Sequence, residues 1–165
     1  KRGPLFSADK AVQDLYKNKS FKNIISEKFN IENNNKTKKS LKKLILNNRN
    51  YITKLERIIH PLIRKKMKKF TIQNKNSKKL FYEIPLLIES RLMNYFDVII
   101  FIKSSKKIRL KRFELKRGDK DLFKLLDNRQ MAETKKIKFC DHVIVNVKNL
   151  KIFKKNFLTI ITKYE

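Results

Sequence analysis

Glycine is nearly absent from this chain. Gly3 and Gly118 are the only two among 165 residues, and no stretch reads G-x-x-x-x-G-K-[ST]. A loop of that kind, which cradles phosphates with backbone N–H groups, does not lie within these residues. Cysteine is rarer still. Cys140 alone excludes an intrachain disulfide and suits a reducing cytosol. Two histidines and one cysteine argue against a zinc site, although Cys140 and His142 are close in sequence. No apolar run approaches the length of a membrane span. Acidic residues are also scarce. Asp and Glu number 15 against 43 Lys and Arg, for a formal net charge of +28.

Such an excess invites a polyanion partner. The cations, however, are spread along nearly the whole chain, and Asn and Ile are abundant beside them. A general bias toward Lys, Asn and Ile produces the same charge without nucleic acid, and we prefer that reading. The field also favours an anionic small substrate such as a nucleotide. The length suits one domain, 1–165, with a real core.

The chain then reads as strands alternating with helices. Pro4 to Ser7 follows a Gly-Pro turn as a short strand, and Ala11, Val12, Leu15 and Tyr16 fall at helical spacing after it. Asp9 sits at that junction. It is either the helix N-cap or a carboxylate at the edge of a sheet. Ser20 to Phe29 and Thr37 to Leu46 read as amphipathic helices, and a long helix runs from Tyr51 to about Phe70. His60-Pro61 lies inside it, where the missing N–H predicts a kink. His60 is either structural or a contact for an anionic ligand.

Leu80 to Glu83 predicts a strand ending in an acid, stopped by Ile84-Pro85. Leu86, Leu87, Ile88 and Glu89 follow outside it. Asp97 to Ile102 predicts a strand buried on both faces. Ser104-Ser105 offer caps for a helix bearing Arg109, Arg112 and Arg117. Gly118 and Asp119 break it, and a second helix is expected from Leu122 to about Phe139, with Leu122, Leu125 and Leu126 inward. Its arginines and lysines form either a solvated face or a lid over phosphates. Asp141 to Asn146 is a last strand, and Leu150 to Lys163 a last helix. Together these elements predict an α/β fold with a parallel sheet and helices on both faces.

Taken in order, these landmarks resemble the dephospho-CoA kinase family. Ser7-Ala8-Asp9 is similar to its strand-end acid motif, usually Asp-Ala-Asp. His60-Pro61 resembles its His-Pro, and Ile84-Pro85-Leu86-Leu87-Ile88-Glu89 its Pro-Leu-Leu-Phe-Glu signature. Gln130, Lys136 and Asp141 to Asn146 resemble its closing Gln, basic residue and Ala-Asp-x-Val-Ile-x-Asn. The resemblance implies the fold of P-loop nucleoside monophosphate kinases, a helical acceptor-binding insertion over 20–75, and lid helices over 109–138. It implies transfer of the ATP γ-phosphoryl group to the 3′-hydroxyl of dephospho-CoA, with Mg²⁺. Asp9, Arg112 and Arg117 are then the catalytic set. His60, Glu83, Pro85, Leu86 and Glu89 fall on the substrate side, with Glu83 near the metal waters. Lys136 and Asn146 fall on the nucleotide side. No residue is assigned as a direct metal ligand.

The departures are specific. Ser7 stands where the family has its first acid, and Val147-Lys148 follow Asn146 where the family has glycine soon after. With no phosphate loop in these residues, the coding sequence upstream of Lys1 is expected to read strand, G-x-x-x-x-G-K-[ST], helix. The 165 residues alone are expected to be marginally stable and without kinase activity. Two rivals remain: a basic module that grips nucleic acid, and another small-molecule kinase of the same fold.

Overall fold

The computed structural model describes residues 3–116, 118–146 and 149–164. The chain divides into two compact units, Lys1–Pro85 and Leu86–Glu165. Among the described residues each carries one parallel ladder of two strands. The expected parallel α/β architecture is present, with its strands in two ladders.

In the first unit β1 (Leu5–Ser7) leads directly into α1 (Ala8–Leu15). Three helices follow, α2 (Lys19–Phe29), α3 (Thr37–Asn47) and α4 (Asn50–Gln73), before β2 (Phe81–Glu83). Apolar residues four apart explain the packing. Phe21, Ile25 and Phe29 make one buried stripe on α2, and Leu41 and Ile45 make another on α3. Asn18 caps α2 by accepting from the Phe21 N–H at 3.3 Å. Asn30 closes it in the left-handed conformation at φ 50°. Phe6 of β1 and Tyr82 of β2 are opposite each other, and both pack on Phe70 of α4, at 5.6 and 5.5 Å between ring centroids. Gly3 permits the entry to β1. Its φ is +122°, and a Cβ there would lie 2.5 Å from the Lys79 carbonyl oxygen. The helix α4 runs through Pro61 as one element.

The second unit orders β3 (Ile100–Lys103), α5 (Lys106–Leu115), α6 (Lys120–Asp127), α7 (Glu133–Ile137), β4 (His142–Val145) and α8 (Leu150–Ile161). Two 3₁₀ turns, Met93–Tyr95 and Thr162–Tyr164, complete it. The strands pair from Ile100↔His142 to Lys103↔Val145. Asp141 anchors the start of the ladder, its Oδ2 accepting from the Ile99 N–H at 2.7 Å.

Three expectations need correction here. The single helix from Leu122 to Phe139 is two short helices with a break at 128–132. The Met131 N–H donates to Glu89 at 2.7 Å instead of to a helical carbonyl, which ends the regular pattern. Inward burial on α6 falls to Phe123 and Leu125, whereas Leu126 is 39% exposed. The third strand is not buried on both faces, since Ile102 is 47% exposed. Its ladder has one partner, so only part of it is covered. Among the described residues no helix is long and apolar enough to cross a membrane.

Candidate active site

In the first unit the parallel register places Ser7 opposite Glu83, and both strands end there. Open parallel sheets bind ligands at such carboxyl edges. Asp9 follows two residues later, as the second residue of α1, and both Asp9 and Glu83 are exposed. Of the two roles open to Asp9, that of N-cap belongs to Ser7. The Ser7 Oγ accepts from the Lys10 N–H at 3.4 Å. The serine that replaces an acid in the motif therefore has a structural task of its own. Pro85 is exposed just beyond β2, and His60 is half-buried on α4. Among the described residues no group of three or more His, Cys, Asp or Glu side chains could hold a metal ion. The hard oxygen donors at this edge nonetheless suit Mg²⁺, which commonly takes one or two carboxylates plus substrate phosphates.

In the second unit two polar clusters flank the β3–β4 ladder. At its carboxyl end the Asn146 N–H donates to the Lys103 carbonyl at 2.7 Å, and the Ser104 hydroxyl to the Asn146 carbonyl at 3.2 Å. The Asn146 side chain accepts from an Arg112 guanidinium N–H at 3.3 Å. Arg112 and Asn146, assigned to different tasks from the sequence, thus meet. Arg109 is committed elsewhere. Its Nε donates to the Ser104 carbonyl at 3.1 Å, and its guanidinium pairs with Asp127. Lys106 takes the other Asp127 oxygen at 2.9 Å. Arg117 lies outside the described residues.

The second cluster joins Glu89, Gln130 and Lys136. The Lys136 Nζ lies 2.9 Å from Glu89 Oε1 and 3.2 Å from Gln130 Oε1. It also stands 5.8 Å from the centroid of the Phe101 ring. Leu86 opens the half-buried turn that brings Glu89 here. A cavity of about 190 Å³ is walled by Ser104, Arg109 and Asp127 on one side and by Gln130 and Lys136 of the second cluster, with Phe101 among the others.

Burial pushes the Asp127 carboxyl up, but hydrogen bonds from Lys106 and Arg109 outweigh it and leave the pKa below its ordinary 3.8. A depressed folded value means stability present above 3.8 and lost as pH falls through the lower one. Asp127→Asn is accordingly expected to be less stable than the parent at neutral pH, with the difference shrinking in acid. Circular dichroism melts from pH 7 to 2.5 check this. A constant difference across that range would remove Asp127 from the acid response. The Cys140 thiol is pushed up by burial and by Asp141, which makes it a weak nucleophile.

The family model for dephospho-CoA kinase matches residues 5–151. The chain belongs to the dephospho-CoA kinase family. A dephospho-CoA kinase of Bartonella henselae is 30% identical over 162 residues, covering 95% of this chain and 83% of that protein. One from Rickettsia felis is 33% identical over 146 residues, covering 84% of this chain and 73% of its own length. The solved dephospho-CoA kinase of Campylobacter jejuni superposes with a TM-score of 0.64 at 27% identity, over 98% of this chain and 84% of that one. A Thermus thermophilus crystal structure reaches 0.75 at 18% identity with the same coverage, a likeness of fold alone. This dephospho-CoA kinase family member is an ATP-dependent phosphotransferase by descent.

Sequence reasoning missed Lys106 and Asp127. The two α5 cations stand three residues apart on one helix face, a legible sign. Their acid lies 18 residues past Arg109, and no local spacing points to it.

Proposed function

We propose that this kinase moves the γ-phosphoryl group of ATP to the 3′-hydroxyl of dephospho-CoA in the cytosol, and that Asp9 receives the hydroxyl proton. The observation that carries this reading is the Ser7↔Glu83 register, which sets two exposed carboxylates beside one sheet edge. Glu83 would hold Mg²⁺ through its waters, and the ion would offset phosphate charge. Arg112 binds the transferring group, where preorganised charge matters most. Asn146 orients Arg112 and stands on the adenine side. His60, Pro85 and the helices over 20–75 contact the bulky acceptor. Val147 and Lys148, where the family pattern departs, lie outside the described residues.

The test uses protein expressed from its complete coding sequence, with dephospho-CoA, AMP and CMP as rival acceptors and coenzyme A as the product followed. Turnover of a nucleoside monophosphate with none of dephospho-CoA would overturn the assignment. Within that assay, Arg112→Lys is expected to cut turnover more than tenfold despite its retained charge. Lysine is a point charge without the planar fork that grips phosphate oxygens. A value equal to the parent's would place Arg112 on a solvated face.

A further inference from the structure

Lys136 is 6% exposed and Glu89 16% exposed at their side chains. Lys136 lines the cavity, but its ammonium is engaged by Glu89 and Gln130. The pair is not well designed for stability alone. Glu89 Oε2 is buried with no hydrogen-bond partner among the described residues. Buried ion pairs are frequently matched in stability by apolar pairs of similar volume, and an unsatisfied oxygen worsens the balance. What the pair does provide is direction. Glu89 Oε1 accepts from both Lys136 and the Met131 N–H, and Lys136 also holds Gln130. The Gln130 N–H in turn donates to the Asp127 carbonyl at 3.0 Å. The Asp127 carboxylate grips Lys106 and Arg109, the latter one turn of α5 before Arg112. An unbroken run of polar contacts therefore leads from Lys136 to the helix that bears Arg112.

We propose that Lys136 and Glu89 are positioning residues that fix the 128–132 connection and, through Asp127, the setting of α5 and Arg112. The proposal rests on the reading of Arg112 as a phosphate ligand. Lys136 itself touches no phosphate.

The decisive variant is Glu89→Met with Lys136→Met, compared with Lys136→Met alone, each made in protein from the complete coding sequence. The apolar pair removes the buried charge and the hold on Met131 together. It is expected to melt close to the parent while kcat falls about 10²-fold, the loss typical of a misplacement near 1 Å. The KM for dephospho-CoA should stay within about twofold, since Glu89, placed on the substrate side from sequence, is here engaged by Lys136 and Met131 and not by the acceptor. Hydrogen exchange by mass spectrometry should quicken over 128–132 and α5–α6 and stay slow in β3 and β4. Lys136→Met alone should show the same exchange pattern with a lower melting temperature. Three results would overturn the proposal. One is parental kcat in the double variant. Another is lost activity with unchanged exchange, which would return Lys136 to direct phosphate contact. The third is a double variant that fails to fold, which would make the pair a plain stabiliser. Should the parent show no kinase activity, the proposed function fails, yet the exchange pattern still judges the anchor.

Discussion

Asp9→Asn is expected to lower turnover with dephospho-CoA by ~10²–10⁴-fold at saturating acceptor, the usual worth of a general base. The amide keeps the size of the side chain and removes its capacity to take a proton. Secondary structure should hold, because the cap of α1 is Ser7 and not Asp9. Loss of the Ser7 hydroxyl would instead weaken the helix start by about 1 kcal/mol. The two residues thus separate in their readouts, one kinetic and one thermal. Steady-state rates and melting curves on both variants check the separation. If Asp9→Asn retains most of the parental rate, the carboxylate is not the base.

The second large effect concerns the helical part of the first unit. Ile25 is fully buried at 0% exposure, between Phe21 and Phe29 on the inward stripe of α2. Ile25→Ala should lose roughly 2–5 kcal/mol, the transfer cost of the removed carbons plus the cavity they leave. For a chain of this size each kcal/mol shifts the melting temperature by about 2–4 °C. A fall on the order of 10 °C is therefore expected in differential scanning calorimetry. A fall of less than about 2 °C would mean that the neighbouring side chains close the gap. Because 20–75 is proposed to bind the acceptor, the KM for dephospho-CoA should rise as well.

The helices were readable because their signal is local. Apolar residues four apart on α2 and α3 dictate buried stripes whatever the partner, and their observed limits fall within a residue of those expected. The strand end at Glu83 was equally legible, since Pro85 cannot continue a ladder. Asp9 and Glu83 could be placed near strand ends from sequence, but the pairing of Glu83 with Ser7 could not, because register is a non-local property. The second unit was harder for the same reason. The break at 128–132 depends on Glu89, some 42 residues earlier, taking the Met131 N–H. Lys136 was legible as a basic residue on the nucleotide side, but not as a buried one. Its burial depends on the same distant acid, which periodicity does not reveal.

The long helix α4 has a mechanical consequence. Its far end is tied to the strand pair by Phe70, which packs on Phe6 and Tyr82, and by Thr71, whose hydroxyl lies 2.7 Å from that of Tyr82. Its near end is held by Phe29, which packs on Tyr51 with tilted rings, 5.9 Å between centroids. The element is 24 residues long with Pro61 at its middle. At 1.5 Å per residue each half is a lever arm of about 18 Å, so a 5° tilt at Pro61 displaces one end by about 1.5 Å. That displacement exceeds the misplacement near 1 Å that typically costs about 10²-fold in rate. In the proposed function, a tilt at Pro61 carries the fit of a long acceptor against the helices to the strand ends beside Asp9.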